Sequence, residues 1–149
     1  GESEIIREGK DGYIVALGEM VTVALGAQKF LAEKGIDVGV VNARFIKPLD
    51  GGMLAKVTRQ SKHLFIIEEH ALQGGFGSAV LEWLNAEKIP DMQVGRFGVP
   101  DRFIEHDSRR ELLKRLLLSP EGVAQKITEE FFSADARDSA AGRIVNFHP

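Results

Sequence analysis

Short apolar runs alternate along the chain with longer stretches whose apolar residues recur every three or four positions. That alternation predicts a parallel α/β sheet. Gly12-Tyr13-Ile14-Val15-Ala16-Leu17 reads as a buried strand ended by Gly18. Met20, Ala24, Ala27 and Leu31 then repeat at helical spacing, and Gly35 stands where a left-handed C-cap would stop the helix. Ile36 to Val41, rich in β-branched residues, predicts a second strand. Asp50 is the expected N-cap of a helix carrying Leu54 and Val57, although Gly51 and Gly52 weaken its first turn.

His63-Leu64-Phe65-Ile66-Ile67 predicts a third strand that leads into Glu68-Glu69-His70. Beyond Gly74, Gly75 and Gly77, the stripe Phe76, Val80 and Trp83 marks a helix, and Pro90 separates it from a fourth strand around Met92 to Val99. Ser108 with Glu111 forms a capping box ahead of Leu112, Leu113, Leu116 and Leu117. Ser119-Pro120-Glu121 opens a further helix, with Pro at its first position and Val123, Ile127 and Phe131 as its stripe. The periodicity weakens from Ser133 to Pro149, which predicts a tail that is flexible or docks on a partner through Ile144, Val145 and Phe147. No internal repeat is visible. The pattern gives one three-layer α/β domain over residues 1–132, followed by a tail over 133–149.

A length of 149 residues agrees with one domain. A chain of this size buries roughly 68–70% of its unfolded surface, enough for a core without staples. A net charge of −3 lacks the basic excess of a nucleic-acid binder, so no nucleic acid is expected as partner. With Cys 0, a thiolate metal site, a Cys nucleophile and a disulfide framework are excluded, which fits the cytoplasm. No apolar run approaches the ~20 residues of a membrane span, so no membrane is expected as partner. The start Gly1-Glu2-Ser3-Glu4 is acidic, unlike a signal peptide, and lacks an initiator Met, from which a piece of something longer is expected.

In open parallel sheets, ligands sit beyond the carboxyl ends of the strands, which directs attention to four loops. Gly18-Glu19-Met20 is short and reads as a tight turn. Ala43 to Asp50 places Arg44 and Lys47 before a helix, where they either hold an anion or pair with carboxylates at a contact. Glu68 to Ser78 joins carboxylates and His70 to Gly74, Gly75 and Gly77. Acid–base work or phosphate cradling are its chemical readings, and close helix–sheet packing with polar contacts to another domain is its structural one. The loop is not a Walker loop, and no nucleophile accompanies its base. Pro100 to Ser108 gathers Asp101, Glu105, His106 and Asp107. A hard divalent cation is conceivable there, with Arg102 and Arg109 competing for the carboxylates.

The strings Asn42-Ala43-Arg44-Phe45-Ile46-Lys47-Pro48-Leu49-Asp50, Glu68-Glu69-His70 with Gly74-Gly75-Phe76-Gly77-Ser78-Ala79-Val80, and Pro100-Asp101-Arg102-Phe103-Ile104-Glu105-His106 together resemble the C-terminal domain of the 1-deoxy-D-xylulose-5-phosphate synthase family. Glu4 to Asp11 resembles the segment leading into that domain, and the similarity runs to Phe132. The first two strings also occur, more loosely, in transketolase-type enzymes, and the third points to the synthase. Gln73, Gly51-Gly52 and Asp107 depart from the family pattern.

The resemblance implies a transketolase C-terminal fold over residues 1–132, with a mostly parallel sheet of about five strands. It implies a homodimeric parent enzyme that uses thiamine diphosphate and Mg²⁺ to condense pyruvate with glyceraldehyde 3-phosphate, releasing CO₂, for isoprenoid, thiamine and pyridoxal synthesis. Such an enzyme is cytoplasmic in bacteria and plastidial in plants or algae. The family's cofactor and catalytic groups lie upstream, so no catalytic, cofactor or metal residue carries over, and this chain alone is expected to be inactive. Arg44, Lys47, Glu69, His70, Gly74, Gly75, Gly77, Asp101 and His106 carry over as motif or interface positions. Two alternatives stand beside this reading: a free-standing module that binds a phosphorylated metabolite, and the equivalent domain of a 2-oxoacid dehydrogenase β subunit or a transketolase.

Overall fold

The computed structural model describes residues 2–99, 108–115, 118–137 and 142–147. Four parallel strands form the centre: β2 (Gly12–Ala16), β3 (Val38–Asn42), β4 (His63–Ala71) and β5 (Gln93–Val99). Strand β1 (Glu4–Arg7) adds antiparallel to β3, and β6 (Ile144–Phe147) adds parallel to β5, giving the order β1-β3-β2-β4-β5-β6. The expected mostly parallel α/β sheet is present, with six strands rather than about five.

The layers follow from alternation. Successive strand side chains point to opposite faces. Ile14 and Ala16 of β2 join Val38, Val40, Phe65 and Ile67 under helix α1 (Met20–Glu33) and helix α5 (Pro120–Ile127). Tyr13 and Val15 join Val41, Leu64, Ile66 and Val94 under helix α2 (Gly51–Gln60) and helix α3 (Phe76–Ala86). Two separate cores, one on each face, make the three layers. Each fully buried Ile, Val, Leu or Phe contributes roughly 1.5–3 kcal/mol of apolar burial.

The helix starts agree with their sequence signals. Asp50 Oδ1 accepts from the Met53 N–H at 2.9 Å, and Ser119 Oγ accepts from the Gly122 N–H at 3.1 Å just before Pro120. Ser108 Oγ accepts from the Glu111 N–H at 3.2 Å at the head of α4 (Arg109–Arg115). The Phe131 stripe continues from α5 through a π-helical turn, Thr128–Phe132, into the short α6 (Ala134–Arg137).

Two expectations are corrected. The tail segment Ile144–Phe147, read as flexible or docking on a partner, pairs within the chain as β6. The Phe147 ring stacks on Phe97 at 4.4 Å, and the Val94 N–H donates to the Arg143 carbonyl at 2.7 Å. The third strand does not end at Ile67. Strand β4 continues through Glu68, Glu69 and His70 to Ala71, with a register irregularity between Ile67 and Ala71. The residues Pro100 to Asp107, including Asp101 and His106, lie outside the described residues, as do Leu116 and Leu117. Among the described residues, no helix is long and apolar enough to cross a membrane.

Candidate functional site

The β4–α3 connection is built around a carboxylate inside the protein. Glu68 is only 1% exposed, because the irregular end of β4 turns it inward while His70 faces solvent. Its Oε1 accepts from the Phe76 N–H at 3.1 Å and its Oε2 accepts from the Gly77 N–H. The N-cap of α3 is Gly75, which has no side chain to offer, so Glu68 reaches across from the strand to bind the helix's free N–H groups.

Arg96 on β5 stands against the same turn and is 8% exposed. Its Nη2 donates to the Leu72 carbonyl and to Ser78 Oγ, the latter at 3.1 Å. Ser78 Oγ donates to the Leu72 carbonyl at 3.0 Å and accepts from the Gly74 N–H at 3.1 Å. Arg96 Nε is buried and has no hydrogen-bond partner among the described residues. Burial pushes the Glu68 carboxyl above its ordinary pKa, against the Gly77 and Phe76 N–H groups, Arg96 and His70, which pull it down. Burial likewise lowers Arg96, against the pull of Glu68.

Two glycines make this approach possible. A Cβ on Gly75 would run into Glu68 Oε1 and come within 2.6 Å of the Ala71 carbonyl. A Cβ on Gly77 would stand 2.8 Å from Arg96 Nε and 3.3 Å from Glu68 Oε2, so Gly77 sits between the two charges. The glycines therefore serve close helix–sheet packing, and the N–H groups they free are taken by Glu68 rather than left open for a phosphate.

The β3–α2 connection is different. Arg44 adopts φ 59°, its N–H donates to Asn42 Oδ1 at 3.0 Å, and its guanidinium pairs with Glu4 at 2.6 Å. Those two side chains are 49% and 52% exposed. Phe45 is 51% exposed beside them, and Lys47 is exposed ahead of Pro48. At the start of α2, Asp50 accepts from the Met53 N–H with one oxygen and from the Ser3 N–H at 2.8 Å with the other.

The structure thus gathers Gly74, Gly75 and Gly77 around Glu68 and Arg96, and it puts Arg44 and Lys47 on a separate loop. Glu69 is half-buried and His70 exposed at the end of β4. The motif reading missed Arg96, and it carried over Glu69 but not the buried Glu68. One signal was present: a lone Arg inside the otherwise apolar run of β5, with a carboxylate at the end of the neighbouring buried strand. Among the described residues, no group of three or more His, Asp or Glu is placed to hold a metal ion.

Comparison with known proteins decides the family. The family model described as the transketolase C-terminal domain matches residues 1–123. The chain belongs to that family. Among its relatives, the 1-deoxy-D-xylulose-5-phosphate synthase 1 of Geobacter sulfurreducens is 45% identical over 145 residues, 97% of this chain and 23% of the relative. The corresponding protein of Geobacter metallireducens is 44% identical over 127 residues, 85% of this chain and 20% of the relative. The chain therefore spans about a fifth of the length of these relatives. A solved structure described as a split-gene transketolase, inactive β4 tetramer, superposes with a TM-score of 0.79 at 36% identity, covering 86% of this chain and 41% of that one.

Proposed function

We propose that this chain is the C-terminal domain of a 1-deoxy-D-xylulose-5-phosphate synthase. The enzyme is a thiamine diphosphate- and Mg²⁺-dependent transferase that condenses pyruvate with glyceraldehyde 3-phosphate and releases CO₂. The observation that carries this reading is the 45% identity to the Geobacter sulfurreducens synthase along 97% of the chain. The domain's part is structural. It supports the preceding domains and the homodimer, in the cytoplasm, and contributes no reacting group.

The cofactor does not fit the residues described here. A diphosphate needs free N–H groups or cations, and Mg²⁺ needs clustered oxygen ligands. The first turn of α3 is already bound to Glu68, Asp50 caps α2, and Arg44 is paired with Glu4. The same self-occupation of Arg44 and of the turn after Gly77 counts against a phosphometabolite module, which would keep only the exposed Lys47 of its three expected parts. A transketolase domain is less favoured too, at 36% identity to the split-gene structure against 45% to the synthase. In this reading, Arg44, Lys47, Glu69, His70, Asp101 and His106 meet neighbouring domains, and Gly74, Gly75 and Gly77 shape the loop behind Glu69 and His70.

A chimera tests the proposal. This chain replaces the matching segment of the Geobacter sulfurreducens synthase, and turnover of pyruvate with glyceraldehyde 3-phosphate is measured alongside subunit mass. An active dimer is expected. A folded, soluble chimera that neither dimerises nor turns over would overturn the assignment.

A further inference from the structure

The first turn of α3 has the parts of an oxyanion site, and its occupant is part of the chain. Two adjacent N–H groups, from Phe76 and Gly77, converge on one carboxylate. Arg96, only 8% exposed, stands on the far side of Gly77, where a Cβ would come within 2.8 Å of its Nε. Convergent N–H groups at a helix N-terminus with an Arg behind them are how proteins bind carboxylate or phosphate groups. The unpartnered Arg96 Nε is the second, independent sign, because a buried donor left unsatisfied is rare and marks capacity for an anion.

We propose that the Phe76 and Gly77 N–H groups, backed across Gly77 by the Arg96 charge, form an oxyanion cradle whose resident anion is the Glu68 carboxylate, and that emptying it converts the loop into a binding site for a small external carboxylate. The inference goes beyond the synthase reading and does not depend on it. The chain uses a phosphate-loop style of construction as an internal clamp. Glu68 ties β4 to α3, Arg96 ties β5 to the Leu72 carbonyl and Ser78, and the loop that displays Glu69 and His70 is fixed from behind. Glu68 and Arg96 are positioning residues: neither faces solvent, and both act through the loop.

The test is chemical rescue on the whole chain. Glu68→Ala removes a methylene and a carboxylate, which is the shape of acetate. Leaving two buried N–H groups without their carboxylate in a domain of this size lowers the midpoint of thermal unfolding by about 10 °C. Sodium acetate at tens of millimolar is expected to restore at least half of that loss in a saturable manner. Sodium chloride at equal ionic strength is expected to restore none, and the wild-type chain to respond alike to both salts.

Adding Arg96→Leu to Glu68→Ala abolishes the acetate response. Equal effects of acetate and chloride on Glu68→Ala, or an equal acetate response in the wild type, would overturn the proposal. Should Glu68→Ala fail to fold alone, its refolding yield with and without acetate decides the matter. An acetate-specific gain supports the cradle, and the same yield in both salts refutes it. Inorganic phosphate serves as the second probe, and a larger rescue by phosphate than by acetate would contradict a pocket shaped for a carboxylate.

Discussion

The β3–α2 and β4–α3 loops use the same materials to opposite ends. Each follows a parallel strand and enters a helix, and each has an arginine and a glutamate at it, one of them supplied by another strand: Glu4 of β1 at the first, Arg96 of β5 at the second. In the first, the Arg44–Glu4 pair lies in solvent, next to an exposed Phe45. In the second, Glu68 and Arg96 are buried, and Gly75 and Gly77 leave the room that they occupy. Exposed pairs are typically worth about 0–1 kcal/mol, whereas a buried polar group that loses its hydrogen-bond partner costs about 1–3 kcal/mol, more when the group is charged. Equal residue types thus differ several-fold in consequence, and burial decides which loop is tied down and which is a surface.

The sharpest way to break that contrast is to remove the arginine that stands at each loop. Arg96→Ala, which strips the buried Leu72 carbonyl and Ser78 of a charged donor, is expected to destabilise the chain by about 3–5 kcal/mol in urea unfolding, and Arg44→Ala by less than about 1 kcal/mol. Similar losses for the two would show that the buried network is no different from the exposed pair. Gly75→Ala comes next, at about 1–3 kcal/mol or more, since its methyl group must displace Glu68 or the Ala71 carbonyl. Gly52→Ala is the matched control in the other loop: its Cβ would meet only Asp50 Oδ1, at an ordinary 3.5 Å, so no loss is expected.

Two helix-capping carboxylates allow a finer comparison. Asp50→Ala should cost about 1 kcal/mol, the usual worth of an N-cap. The N–H groups of Met53 and Ser3 hold the Asp50 carboxyl below its ordinary value. Its contribution is therefore present above pH 3.8 and lost as pH falls through the folded-state pKa. Glu68 is shifted the other way, by burial. Its linked contribution is full below pH 4.5 and declines as pH rises through the folded-state pKa. Thermal midpoints across pH 3 to 7 should accordingly show the deficit of Asp50→Asn growing with pH and that of Glu68→Gln shrinking. Parallel trends would contradict the difference in burial.

Much of the fold was legible because its signals are local. The stripe Met20, Ala24, Ala27, Leu31 and the caps Asp50 and Ser119 each depend on residues within a few positions, and the structure has them where spacing puts them. The network at the β4–α3 loop was not legible in the same way. Whether Glu68 or Glu69 turns inward depends on the irregularity between Ile67 and Ala71, and the role of Arg96 depends on β4 and β5 being neighbours. Strand β6 escaped notice for a related reason. Four residues with an exposed Ile144 carry almost no periodicity, and the aromatic surface that seats Phe147 comes from Phe97 on β5 and Phe131 after α5. The glycines were visible as a cluster, but what they make room for required the side chains of two other strands.

Among the described residues, the first turns of α2 and α3, where a diphosphate could sit, are filled by the chain's own Asp50 and Glu68. Calorimetric titration of the purified chain with thiamine diphosphate, in the presence and absence of Mg²⁺, tests it most directly. No saturable heat up to millimolar ligand is expected, with an unmoved thermal midpoint. Micromolar, Mg²⁺-dependent binding would contradict it.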